Sequence, residues 1–245
     1  MTSISAGTVA QSRFLGIALN DGVARGHMQS FYLACYAAIM LATFIPQTQP
    51  FLLDEVLGLE RSRQGVVSGN LNFWGEIVII LTVGLWGGLS DRIGRRAVTG
   101  MGFMLIAAGI LLYGLVEDIP SLLLARVVYS AGIAAVSTMI ITLMADYANN
   151  ASRGKATGYL GIMNGLGAMT AALFLLKLPA IFKGRGLDAS ESALATYGSM
   201  AIVTLLIGLV MFIGLRKGKT HASEERTPLL KQMREGLAEA RRPLI

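Results

Sequence analysis

Apolar residues run along this chain in blocks of helical length rather than in alternation with polar ones. Six blocks stand out, at roughly 29–53, 65–86, 97–116, 121–145, 156–178 and 192–215. Each is long enough for an α-helix to cross a hydrocarbon core of about 30 Å, with some tilt. The pattern therefore predicts an all-α membrane protein, a six-transmembrane-helix bundle over 29–215. Its connections are short, so consecutive helices are expected to run antiparallel as neighbours. Pro46 and Pro50 fall near the end of the first block, where a break in the helix is expected.

The flanks have a different character. Residues 1–28 form a polar N-terminal segment without the basic–apolar–small succession of a cleaved signal peptide. Residues 216–245 open with Arg216, Lys217 and Lys219 as a stop after the sixth block. Thr227-Pro228 then reads as an N-cap with proline at the first helical position. Leu229, Leu230, Met233, Leu237 and Ala240 recur at helical spacing, which predicts an amphipathic helix lying on a surface or a solvated linker helix.

Composition agrees with the pattern. Hydrophobic residues make up 53% of the 245 and charged ones 15%, with mean hydropathy +0.59. A soluble domain carries about a quarter charged residues, so an ordinary soluble enzyme is excluded. Cys35 is the single cysteine, which rules out an intrachain disulfide and a cysteine metal site. His27 and His221 lie apart in the flanks, so no metal or other cofactor is expected.

The net charge of +6 is distributed unevenly. With both termini on one side, that side receives 15 Lys and Arg residues and the other receives 5, while Arg126 falls within a span. By the positive-inside rule the basic side is cytoplasmic, both termini included. The charge thus reads as an orientation signal, with the lipid bilayer as partner and no nucleic acid.

Two charges within the apolar blocks carry the chemistry. A charge at mid-membrane costs roughly 2.5–3.5 kcal/mol on insertion scales, so it faces a cavity or a partner. Glu76 lies on a strip with Ser68 and Asn72, which Gly84 and Gly88 continue. Arg126 shares a strip with Ser130 and Ser137 in the fourth block. Their depths predict a Glu76–Arg126 pair, either switchable, with Glu76 titrating, or static. Asn164 in the fifth block is expected to make an interhelical hydrogen bond, and Trp86, near a helix end, to anchor at the membrane interface.

Between the second and third blocks lies Gly87-Gly88-Leu89-Ser90-Asp91-Arg92-Ile93-Gly94-Arg95-Arg96. It is no phosphate-binding loop, because the Lys-Ser/Thr ending is absent and no strand precedes it. Gly87, Asp91, Arg92, Gly94, Arg95 and Arg96 resemble, position by position, the loop signature of the major facilitator superfamily of secondary transporters. Arg126 in "LLLARVVYSAGIAA" is similar to the arginine typical of that family's fourth helix, with Ser130 where glycine is common. "ADYANNASRGKATG" resembles the family's following loop through Asp146, Arg153 and Gly154.

The resemblance covers about residues 28–240. It implies the N-terminal six-helix half, built as two inverted three-helix repeats (29–116 and 121–215), followed by a central linker and truncated before a second six-helix half. It further implies secondary active transport of a small molecule or ion by alternating access, driven by a proton or substrate gradient. Asp91 would gate the cytoplasmic side against the second half, and Gln47, Gln49 and Arg126 would face substrate. Neither the glycine–proline pair of proton-driven antiporters nor the sugar-porter motif is present, so no subfamily is assigned. The alternative is a non-transporting half that acts as a scaffold or subunit.

Overall fold

The computed structural model describes residues 12–217, and the amphipathic helix expected at 229–240 lies outside them. A small hairpin precedes the bundle, with β1 Arg13–Phe14 pairing antiparallel with β2 Ile17–Ala18. Leu15 and Gly16 both have positive φ, +49° and +77°, the geometry of a type I′ turn whose twist matches the strands. The hairpin and the chain after it bury Ile17, Leu19 and Val23. The Asn20 side chain donates to the Asp146 carbonyl at 2.9 Å, and the Ser152 hydroxyl accepts from the Ala18 amide at 3.0 Å.

Six long apolar helices follow. They are α1 Arg25–Phe51, α2 Arg61–Ile93, α3 Arg95–Tyr113, α4 Ile119–Tyr147, α5 Arg153–Leu173 and, last, α7 Ala189–Gly214, with a short α6 Leu178–Lys183 between the fifth and the last. The first expectation to be corrected concerns the prolines. Pro46 and Pro50 sit inside α1, which ends in a π-helical turn at Leu52–Val56. The prolines leave the Ala42 and Pro46 carbonyls without their usual amide donors four residues on, and α1 nonetheless continues through both. The fifth block is also not one helix. It is interrupted after Leu173 by a 3₁₀ turn at Leu175–Lys177, and Pro179 sits in the first turn of α6.

Two helix starts, those of α4 and α7, are set by side-chain caps. The Asp118 carboxylate accepts from the Ser121 amide and Asp188 from the Glu191 amide, both at 2.8 Å. The Ser121 hydroxyl and amide also hold the Asp118 carboxyl below its ordinary pKa.

Packing corrects the expectation that consecutive helices are neighbours throughout. α2 packs mainly on α4, α1 on α5, and α3 on both α4 and α7. Small residues allow the closest of these approaches. A Cβ on Gly132 of α4 would meet the Ile106 amide of α3 at 2.6 Å and the Gly102 carbonyl at 2.8 Å. Hydroxyls tie α1 to α5, from Tyr32 to the Ala156 carbonyl at 3.2 Å and from Tyr36 to the Thr170 hydroxyl at 2.9 Å. An aromatic cluster of Phe44, Tyr113, Tyr129 and Tyr197 fills the centre, with ring centroids 5.6–6.3 Å apart. α2 and α5 are the least buried of the six.

Candidate functional site

Two groups of charged side chains are placed by these contacts, one deep in the bundle and one at the end bearing the α2–α3 turn. Arg126 enters the bundle about two turns into α4 and is only 7% exposed. Its Nη2 donates to Asn72 Oδ1 of α2 at 3.0 Å, while its Nε and Nη1 are buried without hydrogen-bond partners among the described residues. The guanidinium also lies 5.9 Å from the Tyr129 ring centroid. Gly75 makes the room for it, since a Cβ there would meet Arg126 Nε at 2.6 Å and Ser130 Oγ at 2.9 Å. Composition and periodicity gave no sign of this glycine; only its place one turn from Asn72 hints at it.

The structure thus joins Arg126 to Asn72 rather than to Glu76, and no ion pair links Arg126 and Glu76 among the described residues. Glu76 lies one turn further along α2, on its exposed side. A guanidinium with one hydrogen bond and two unserved nitrogens is an incomplete arrangement. Buried N–H groups without acceptors are costly, so such a group readily donates to an anionic or carbonyl oxygen. Gln49 reaches α2 as well, its Nε2 donating to Ser68 Oγ at 2.9 Å. The Oε1 atoms of Gln47 and Gln49 are buried and have no donor among the described residues.

At the other group, the stretch expected to be a loop is nearly all helix. α2 runs to Ile93 and α3 starts at Arg95, so Gly94 alone forms the turn, at φ +91°, a conformation other residues rarely adopt. Gly87 is helical and takes no part in the turn. Arg95 stands between two carboxylates, with its Nε 2.6 Å from Asp146 Oδ2 of α4 and its Nη2 3.9 Å from Asp91 Oδ1. Asp91 stays largely exposed. Arg92, Arg153 and Gly154 are exposed, and Arg96 stacks 4.7 Å over the Phe212 ring.

Asn164 makes no hydrogen bond among the described residues, unlike the interhelical bond expected of it. Trp86 is half-buried and packs against the core. At the opposite end, Lys183 of α6 and Glu55 of the π turn form an ion pair beside a recess of about 320 Å³. No group of three or more metal-binding side chains occurs among the described residues.

A family model described as Major Facilitator Superfamily matches residues 30–245. The chain is 31% identical over 162 residues to the magnetosome protein MamZ of Magnetospirillum gryphiswaldense, covering 62% of this chain and 25% of that one. It is 25% identical over 163 residues to the arabinose-proton symporter of Bacillus subtilis, covering 64% of this chain and 34% of that one. Among solved structures, a peptide transporter POT in complex with sulfate superposes with a TM-score of 0.67 at 17% identity, covering 94% of this chain and 45% of that one. The chain therefore spans about a quarter to under half of the length of these relatives.

Proposed function

This chain belongs to the Major Facilitator Superfamily, and on that premise we propose that it serves secondary active transport of a small molecule or ion by alternating access. The observation that carries this reading is Arg126, buried in the apolar bundle and held by Asn72 on one side only. Storing an under-served charge inside a membrane bundle is costly, and such charges mark substrate or ion paths. Glu76 is the coupling group. It sits near the middle of a 33-residue helix, on the face the six helices leave open, one turn from the Asn72–Arg126 contact.

A second six-helix bundle completes the transporter. The exposed sides of α2 and α5, the two least buried helices, support this, as does the 45% share of the solved transporter that this chain covers. The site then lies between two bundles that rock against one another. At the turn-bearing end, Arg95 ties Asp91 to Asp146, so a second bundle would meet a prepared row of charges through the exposed Asp91. The excess of basic residues supports a cytoplasmic location for that end.

The test uses the full-length protein in liposomes with a pH-sensitive dye inside, screened against small-molecule substrates. A coupled substrate moves protons with the wild type. Glu76→Gln keeps substrate binding and loses the proton movement. Unchanged proton movement in Glu76→Gln would remove Glu76 from the mechanism.

A further inference from the structure

Beside the α2–α3 turn lies a recess of about 410 Å³, lined by Ile93, Gly94, Arg96, Ala97, Phe212 and Lys217. It contains two cations and no carboxylate. Of the carboxylates of α2 and α4 at this end, Asp146 is paired with Arg95 at 2.6 Å, and Asp91, 3.9 Å from Arg95, is largely exposed and does not line the recess. Neither Arg96 nor Lys217 forms an ion pair among the described residues.

Arg96 is held in place by packing. Phe212 of α7 lies against Gly100 of α3, where a Cβ would come within 3.2 Å of the ring. The Arg96 guanidinium rests 4.7 Å above that ring, so its charge is fixed while its N–H groups remain to be used. Its Nε is buried and has no acceptor among the described residues.

The walls indicate where the anion comes from. Ile93 and Phe212 are 45% and 47% exposed, and exposed Leu205 and Leu209 continue the Phe212 face along α7 towards mid-membrane. A free phosphate would use the two cations and leave this apolar track unused. A phospholipid uses both, with phosphate at Arg96 and Lys217 and acyl chains along α7. We propose that this recess binds the phosphate of an anionic phospholipid headgroup, independently of any transport activity.

Native mass spectrometry of the purified full-length protein, offered equal amounts of phosphatidylglycerol and phosphatidylcholine, tests it. The wild type is expected to retain phosphatidylglycerol in preference. Arg96→Gln and Lys217→Gln each lower that retention about fivefold, the effect of one surface cation on anionic lipid. Arg61→Gln, at the opposite end, leaves it unchanged. Should Arg96→Gln fail to yield folded protein, Lys217→Gln, at an exposed position beyond the end of α7, decides alone. Equal retention of the two lipids, or unchanged retention in the Arg96 and Lys217 variants, overturns the site. Displacement of the lipid by millimolar inorganic phosphate overturns its assignment to a headgroup.

Discussion

Arg126 concentrates the tension between stability and function in one side chain. One hydrogen bond to Asn72 serves a guanidinium with five N–H groups, in a setting where solvent cannot make up the difference. A buried charge without a counter-charge carries an uncompensated desolvation cost, which an apolar side chain of similar volume removes. Arg126→Met is therefore expected to hold or raise the melting temperature in detergent while abolishing transport in the full-length protein. A marked fall in melting temperature would show that Arg126 is there for the fold. The charges themselves were legible in the sequence, because Asp91, Arg95, Asp146 and Arg126 occupy motif positions. Their pairing was less so. Helical spacing placed Asn72 and Glu76 on one strip, but the register of α2 on α4 selects Asn72, and Gly75 supplies the space; neither follows from depth along isolated helices.

At the scale of elements, six apolar blocks became six long helices, with ends displaced by several residues. Hydropathy reads only the stretch that lipid surrounds, whereas a helix continues until a cap or a turn stops it. α4 begins at Ile119 and α7 at Ala189 because Asp118 and Asp188 cap them, a signal present in the sequence as Asp-x-x-Ser and Asp-x-x-Glu. The Arg13–Ala18 hairpin was missed because a two-residue strand pair has too little periodicity to register. What holds the helices together is close contact rather than hydrophobic drive, since lipid is as apolar as leucine. Gly132→Val tests this at the α3–α4 contact, where the new side chain would strike α3 backbone at the Ile106 amide. Overpacking of this kind costs roughly 1–3 kcal/mol, so thermal unfolding in detergent should begin several degrees lower. Gly198→Val in α7, where an added Cβ meets nothing within 4 Å, provides the control and should unfold near the wild-type temperature.

For the whole molecule, the neighbour relations say more than the order of helices along the chain. Exchanging α1 with α4, α2 with α5 and α3 with α7 converts the α1–α5 contact into α4–α2, and both are principal contacts of the bundle. The correspondence is partial, because the same exchange converts the α3–α4 contact, the most extensive in the bundle and one between consecutive helices, into the much smaller α7–α1 contact. The function proposed above puts the Gly94 end at the cytoplasm, by the positive-inside rule. Single cysteines introduced at Arg92 and at Glu117, both exposed and at opposite ends, read this directly, because native Cys35 is buried and silent. A membrane-impermeant maleimide applied to intact cells should label Glu117→Cys, and should reach Arg92→Cys only after permeabilisation. The reverse pattern would invert the molecule, moving Asp91 and the Arg96–Lys217 recess to the outer leaflet and Glu55–Lys183 to the inner one.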